Sequence, residues 1–364
     1  MNDRLQSFDL LRGVAILSVV TFHVYAIFDP GHAAVSAVAP MGVYGVQLFF
    51  IVSALTMCLM WQRRSGEDRP VLKFYIRRFF RIAPPFWLAM IGYLALNGIG
   101  PSQWSPDGVE ARHVLLTATF LHGFSPDTIN TIVPGGWSIA VEMTFYLVFP
   151  ILIAWKQSAR TLTAFALVVY LANVLMVEPA YQAIFVGPQP LKDFLYFQFF
   201  HQAPIFLLGM ALYRVLFDGQ PKYHVVQIVL AWIGLAFLLK FLGLHASPFF
   251  WLLVSLLLVF SWGCLKYRVT FWPLNRLGEL SYSVYLTHFA IIQFVEFVFR
   301  GLSLEMHSMV SFVCALGLVL LLCYISASVS QITIERWSTT IARRIIEQLK
   351  GPYESAATPS ARRY

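Results

Sequence analysis

The stretch FDLLRGVAILSVVTFHVYAIF, residues 8–28, decides the class of this protein because it is long and apolar enough to cross a bilayer as one helix. Arg12 stands near its start and His23 near its end. Eleven steps of about 100° bring the two side chains to nearly the same helix face, roughly 16 Å apart along the axis. Since ionisable groups are costly inside a bilayer, the pair predicts a polar pathway that faces protein. Alternatively, Arg12 extends to the interface and His23 is a hydrogen-bonded core residue.

The rest of the chain repeats this pattern of long apolar segments. Of its 364 residues, 58% are hydrophobic and 12% are charged, a composition outside the range of soluble domains. We therefore predict one all-α membrane bundle over residues 1–331 with about ten transmembrane helices, each of about 18–22 residues. The predicted spans lie near residues 10–28, 41–61, 82–99, 137–155, 161–178, 195–217, 224–243, 247–265, 279–299 and 308–331.

The Lys and Arg residues predict the orientation. The side with the two termini and the even-numbered loops holds 22 of them, and the other side holds four. Because cytoplasmic loops are enriched in Lys and Arg, both termini are predicted to be cytoplasmic. The net charge of +8 then reflects membrane anchoring, and nothing suggests a nucleic acid partner. The first span is too long for a signal peptide, so we expect it to be retained.

The chain beyond residue 331 is predicted to lie outside the bundle. Residues 332–350 alternate apolar and basic positions at helical spacing, which predicts an amphipathic helix in contact with lipids of the inner leaflet. Residues 351–364 are predicted to be disordered. The four cysteines all fall inside predicted spans, which indicates small packing residues and no disulfide framework: Cys58, Cys264, Cys314 and Cys323.

The predicted cytoplasmic loop 62–81 carries the densest charge in the chain. Arg77, Arg78 and Arg81 interleave there with aromatic residues. Arginine forks suit phosphate oxygens, and aromatic faces beside them suit a purine ring, so the cluster indicates a nucleotide-bearing ligand. The alternative is positive-inside anchoring with anionic lipid contact, which is our interpretation of Arg63–Arg64.

Two further features set boundaries in the first half of the chain. Pro84-Pro85 marks where the third span begins or bends. In the external loop 98–136, the segment 109–124 is too short to cross and is predicted to be a surface-lying or re-entrant helix. The His and Asp residues of this loop have no spacing typical of metal ligands, and we expect no metal.

Glu142, in the fourth span, is the buried carboxylate of most interest. It lies roughly 9 Å below the external boundary, and His23 lies roughly 8 Å below it, so the two are predicted to share a depth. A buried carboxylate needs a partner. We therefore hypothesise that Glu142 orients His23. Polar positions in other spans, including Ser53 and His288, are interpreted as packing or core residues when taken alone.

Five stretches in order resemble the signature segments of the acyltransferase-3 family of bacterial membrane acyltransferases, over residues 8 to about 330. The family pattern of arginine, ten residues and histidine falls on Arg12 and His23, and its tryptophan-serine stretch with a glutamate falls on Trp137, Ser138 and Glu142. The five stretches are SFDLLRGVAILSVVTFHVY, GVQLFFIVSALTM, FYIRRFFRIAPPFW, GGWSIAVEMTFYLVFP and LGELSYSVYLTHFAI.

The sequence departs from the family pattern at three positions. Gln47 stands where aspartate is common, Ala54 where a glycine usually follows the serine, and Met143 where a second acidic residue is frequent. A carboxylate role at position 47 is thereby lost.

The resemblance implies transfer of an acyl group, usually acetyl, from cytoplasmic acyl-CoA to a hydroxyl of a surface polysaccharide, lipopolysaccharide or lipid-linked glycan precursor, at the bacterial inner membrane. The implied catalytic residues are His23, Arg12 and Glu142. Donor binding is expected at the arginine cluster, and the remaining polar positions are expected to bind substrate: Trp137, Ser138, Ser53 and His288.

The chemistry of these residues leaves several routes open. The imidazole of His23 suits proton removal from a hydroxyl, since its ordinary pKa lies near working pH, and it also suits covalent transfer through an acyl-histidine. A proton-coupled transporter that uses His23 and Glu142 as a relay is the main alternative. A scaffold in a polysaccharide assembly complex is the third.

Overall fold

The computed structural model describes residues 2–102, 105–155, 157–185, 190–244 and 247–349, which form helices and connecting turns apart from one β-bridge between Ser102 and Ser105. The helices are α1 Asn2–Tyr25, α2 Ala33–Val38, α3 Gly45–Arg64, α4 Pro70–Asn97, α5 Ala111–Ala118, α6 Gly136–Ala154, α7 Ala159–Ala172, α8 Glu178–Ile184, α9 Pro190–Phe197, α10 Phe199–Phe217, α11 Tyr223–Phe241, α12 Pro248–Tyr267, α13 Trp272–Glu279, α14 Ser281–Gly301, α15 Met309–Ser330 and α16 Arg336–Gln348.

Ten helical stretches within the described ranges are long and apolar enough to cross a membrane, which confirms the predicted all-α bundle. Each overlaps one predicted span, and the second begins at Ala33, before its predicted start. The tenth is extended beyond its predicted end, because α15 continues through a π-helical turn, Gln331–Glu335, into α16. The predicted disordered tail 351–364 lies outside the described residues.

The third span is where the predicted boundary was wrong. Helix α4 begins at Pro70, not at Pro84, and continues through Pro84 and Pro85 as far as Asn97. Proline is well tolerated at a first helical position, and neighbouring groups in a membrane bundle can satisfy carbonyls freed by an internal proline. The two prolines free the carbonyls of Phe80 and Arg81, and in the same turn the Tyr282 hydroxyl donates to the adjacent Ile82 carbonyl at 2.7 Å. The arginine cluster therefore lies on a helix and not in a loop.

Helix α1 crosses its neighbours at very short distances, because glycine stands at the crossing points. A Cβ built on Gly278 of α13 would lie 1.8 Å from the Asp9 carbonyl oxygen, and one on Gly13 would lie 2.0 Å from that of Leu274. Gly42 and Gly45 meet the other side of α1 in the same way, at 2.2 and 2.4 Å from backbone oxygens. Gly42 and Gly45 are therefore close contact points between the second span and α1. These crossings fix the position of Arg12.

Replacing Gly278 with alanine is expected to destabilise the protein by about 1–3 kcal/mol or more, because the methyl group would overlap backbone that cannot move aside. Thermal unfolding in detergent measures this. Gly317→Ala in α15 is the control, since nothing lies within 4 Å of a Cβ at that position. Equal melting temperatures for the two variants would contradict the close crossing.

One departure from the family pattern has a local structural counterpart. Ala54, where the family usually has glycine, packs against Gly209 of α10, at which an added Cβ would lie 2.8 Å from the Ala54 Cβ. The space for close helix contact is thus supplied by the facing helix. Gln47, also fully buried, donates to the Tyr196 hydroxyl at 3.1 Å and to Gln202 at 3.2 Å, so a neutral amide network occupies this position.

The loop between α4 and α6 closes one end of α6. Segment 109–124 contains α5 and a short 3-10 turn, Leu121–Phe124, in agreement with the short helix predicted there. His122 is buried and its Nε2 lies 3.0 Å from the Gly136 carbonyl oxygen. Burial lowers the pKa of His122 to about 4, so the ring is neutral at physiological pH and acts as a structural hydrogen-bond partner.

All four cysteines are free thiols, as predicted. Three are buried, and Cys314 is exposed on the outside of the bundle, so the packing role predicted for it was wrong.

Candidate functional site

A cavity with about 700 Å³ of space lies between α1, α3, α4, α6 and α14, and we call it the central cavity. Val46, Phe49, Phe50, Ile82 and Ile139 form its apolar walls. Its polar lining consists of Arg12, Ser53, Thr56, Arg78, Arg81, Ser138, Glu142, Tyr146, Ser281, Tyr282 and Tyr285. Six residues predicted from the sequence to be functional thus meet in one place with further polar groups, although they come from four different helices.

Arg12 is held in the cavity wall by two polar neighbours. Its Nη1 lies 3.0 Å from the Asp9 carboxylate one turn earlier, and its Nη2 donates to the Thr56 hydroxyl of α3 at 2.9 Å. The side chain is 18% exposed. Asp9 offsets part of the charge of Arg12, while Thr56 fixes the direction of the guanidinium. Arg12 therefore faces the central cavity and has polar partners within the bundle.

Glu142 is the centre of a second polar group. Its Oε1 accepts hydrogen bonds from the Ser53 hydroxyl at 2.5 Å and from the Tyr146 hydroxyl at 2.6 Å. Arg78 lies over the Tyr146 ring, 5.2 Å from its centroid, and is close enough to Glu142 for the two charges to attract. A carboxylate inside the bundle is stabilised by these two hydroxyl donors and by the nearby cation.

Tyr285 forms the far wall of the central cavity. Its hydroxyl accepts from Ser138 at 2.8 Å and donates to the Gly135 carbonyl at 3.0 Å. Gly135 has a φ of 75°, a conformation that glycine adopts without strain, at the start of α6. The Tyr285 ring also lies 5.5 Å from the His288 ring, one turn further along α14.

His23 lies beyond Tyr285, next to His288. The His23 ring is 5.3 Å from the His288 ring and 4.3 Å from the Phe289 ring, centroid to centroid. His288 is fully buried, its Nδ1 lies 2.6 Å from the Tyr285 carbonyl oxygen, and its Nε2 has no hydrogen-bond partner among the described residues. The Nδ1 contact favours the tautomer in which Nδ1 carries the proton and Nε2 carries a lone pair.

The structure does not join His23 to Glu142. Within the described parts of the chain, no hydrogen bond or ion pair connects them, because Glu142 faces Ser53 and Tyr146 while His23 packs on α14. The expectation that Glu142 directly orients His23 is therefore not met, and His288 takes that place beside the ring. The sequence predicts that His23 and Glu142 lie at the same depth, but it does not give the lateral distance between their helices. The predicted pairing of these two residues rested on depth alone.

A second and larger cavity, of about 1470 Å³, opens at the end of the bundle where most of the arginines lie, and we call it the basic vestibule. Arg78 and Arg81 line both this vestibule and the central cavity, so the two spaces meet at these side chains. Arg77 also faces the vestibule and forms an ion pair with Glu67. Helix α16 forms one wall, with Ala342 buried against the bundle.

Sequence reasoning placed two residues differently from the structure. Trp137 packs face to face on Phe197 at 4.5 Å, is 5% exposed and lies behind the cavity lining. Arg64, interpreted as an anchor, lines the vestibule. Tyr146 and Asp9 were missed, although Tyr146 follows Glu142 by four residues and Asp9 precedes Arg12 by three, spacings that place side chains together on a helix.

These features define a multi-pass membrane protein whose helices surround a polar cavity with a cationic opening. The chain belongs to the acyltransferase-3 family: the family model, described as an acyltransferase domain, matches residues 5–328. It is therefore a membrane acyltransferase of the O-acetyltransferase family.

Curated relatives agree with this membership. The chain is 30% identical to the exopolysaccharide production protein ExoZ of Rhizobium meliloti over 268 residues, 69% of this chain and 77% of the relative. It is 22% identical to the peptidoglycan O-acetyltransferase OatA of Listeria monocytogenes, over 79% of this chain and 49% of the relative. It is 21% identical to the O-acetyltransferase OatA of Staphylococcus aureus, over 80% of this chain and 51% of the relative. The chain thus spans about half the length of the two OatA proteins. No solved structure shows significant similarity to it.

Proposed function

We propose that this protein transfers an acyl group, in the simplest case acetyl, from cytoplasmic acyl-CoA to a hydroxyl of a surface polysaccharide, lipopolysaccharide or lipid-linked glycan precursor. The observation that carries the proposal is that Arg78 and Arg81 line both cavities. A donor with its phosphates in the basic vestibule can extend its acyl end past these arginines into the central cavity. In this proposal both termini lie in the cytoplasm and the bundle lies in the bacterial inner membrane.

The two ends of the site have different tasks in this mechanism. Because α1 is one continuous helix, Arg12 and His23 are roughly 16 Å apart and do not contact the same reacting atom. Arg12, with Arg77, Arg78 and Arg81, provides the positive charge that holds the anionic donor. His23 acts at the acceptor hydroxyl.

His23 provides the general base. It accepts the proton of the acceptor hydroxyl while that oxygen attacks the thioester carbonyl carbon; the C–S bond then breaks and the proton passes to the thiolate, giving free CoA. His288 lies beside His23 with an unpaired Nε2, so it can accept an N–H from the His23 ring and keep the other nitrogen free to receive the proton.

The remaining predicted residues are assigned to the substrate and to the cavity wall. Glu142 holds Ser53 and Tyr146 in place and attracts Arg78, so it orders the cavity through which the acyl group passes. Ser53 and Ser138 present hydroxyls to the cavity and are proposed to contact substrate. Trp137 is buried behind the cavity lining, and we propose that it holds the cavity wall in position.

The test is acyl transfer by the purified protein in detergent, with acetyl-CoA labelled in the acetyl group. We expect cleavage of the thioester and, with a glycan acceptor present, a labelled glycan. A proton-coupled transporter would leave the thioester intact and would instead move protons across liposomes. A scaffold would do neither. Absence of thioester cleavage by protein that binds CoA would contradict the proposal.

A double-mutant comparison is expected to assign the partner of His23. If His288 acts through His23, then His23→Ala and His288→Ala together should reduce the initial rate little more than the stronger single change, because residues that act as a unit are non-additive. His23→Ala combined with Glu142→Gln should instead give roughly the product of the two single losses, since separate sites add in free energy. The opposite pattern would restore the pairing of His23 with Glu142.

A further inference from the structure

Two further arginines, from helices other than α4, face the basic vestibule. Arg64 lies at the end of α3 and Arg343 on α16, and both line this cavity. Arg64 is near enough to Arg77, Arg78 and Arg343 for their charges to act on it. Altogether five arginines and two glutamates line the vestibule. Cations held this close repel one another, so the cluster favours an anionic ligand in the vestibule.

The immediate sequence neighbours of these two arginines face elsewhere. Arg63 and Arg344 are also exposed, but neither is among the described residues that line the vestibule. Consecutive helical residues are about 100° apart, so each arginine of a neighbouring pair presents its charge in a different direction. Membrane anchoring would be served equally by either member of a pair. Of these four arginines, only Arg64 and Arg343 line the vestibule and can contact a ligand there.

We infer that Arg64 and Arg343 bind the 3′-phosphoadenosine end of the acyl-CoA donor, so that α16 completes the donor site. This inference rests on the proposed function. The acyl end has to pass Arg78 and Arg81 to reach the central cavity, which leaves the nucleotide end in the vestibule. A phosphate monoester carries close to two negative charges near neutral pH and suits two guanidinium groups.

The vestibule also offers a surface for the adenine ring. Trp61 lines it and is only partly buried, and the buried Phe74 supports the Trp61 ring edge-on, with centroids 5.9 Å apart. Nucleobases stack on aromatic side chains of this kind. Aromatic rings and arginines from α3, α4 and α16 therefore surround one space. The phosphate of an anionic lipid headgroup shares part of this chemistry, but it has no base to stack.

The experiment compares binding of CoA and of 3′-dephospho-CoA to the full-length protein by calorimetry in detergent without anionic lipid. The variants are R64Q/R343Q and the matched control R63Q/R344Q, which removes the same charge from the same end of the protein. We expect the wild type and the control to bind CoA about tenfold or more tightly than dephospho-CoA, the effect of one charge-assisted contact. R64Q/R343Q should bind both compounds alike.

Each other result has a definite meaning. If R64Q/R343Q prefers CoA as strongly as the wild type, the inference is wrong while the proposed function stands. If the wild type binds neither compound, the proposed function fails too. A third arm measures binding to phosphatidylglycerol vesicles. Loss of vesicle binding in R64Q/R343Q, with its preference for CoA unchanged, would make the two arginines a lipid contact and overturn the inference.

Discussion

Replacing His23 with alanine is expected to lower the rate of acyl transfer by about 10²–10⁴-fold, the usual contribution of a positioned general base. The protein should still insert and accumulate, because His23 is only partly buried and forms no hydrogen bond to another described residue. The measurement is the initial transfer rate in matched membrane preparations, together with glycan acetylation in a deletion strain that carries the variant.

The control for this variant is His32→Ala, which removes an exposed histidine from the loop that follows α1. His23→Gln adds a second test that keeps a polar side chain of similar length and removes the basic nitrogen. Activity near that of the wild type in either His23 variant, at equal protein levels, would remove His23 from the mechanism.

The second large effect is expected from changing Arg77, Arg78 and Arg81 together to glutamine. Each charge-assisted phosphate contact contributes about 1.5–3 kcal/mol, or roughly tenfold in affinity. Arg77 already forms an ion pair with Glu67, so its net contribution should be the smallest. We therefore expect acyl-CoA binding to weaken by at least about 100-fold in calorimetry.

The matched control for the arginine cluster is a triple variant with the same loss of charge. Arg63, Arg69 and Arg344 are exposed and are not among the described residues of the vestibule wall, so changing them to glutamine tests membrane anchoring alone. Arg64 is unsuitable as a control because it lines the vestibule. Equal donor binding by the two triple variants would mean that the cluster serves only to anchor the protein.

The order and approximate position of the membrane helices followed from the sequence, because a helix in lipid must be long, apolar and internally hydrogen-bonded. The start of α4 did not follow from it. A proline pair is read locally as a helix boundary, whereas in the folded bundle the helix passes through Pro84 and Pro85 while Tyr282 contributes a hydroxyl to the same turn. This difference matters for function, since it places the arginine cluster on a rigid helix.

The candidate site could be predicted only residue by residue. Arg12, Glu142 and the arginine cluster were recognisable because charge inside or beside an apolar span is rare and costly. Their contacts with neighbouring helices could not be predicted. Ser53 and His288 were candidates only through the family resemblance, and the sequence did not indicate that Ser53 contacts Glu142, that His288 lies beside His23 or that Tyr285 contacts Ser138.

The sequence by itself determined the membrane class, the ten spans, the family and the residue types available for acyl transfer, because these depend on local composition and on short spacings within single helices. The tertiary structure decided the partners. It places His288 beside His23, and Ser53 and Tyr146 in hydrogen-bond contact with Glu142. It also places α16 in the wall of the vestibule. The physical reason is that depth and helical face can be read along one helix, whereas contact between helices depends on how close glycines and other small residues allow them to approach.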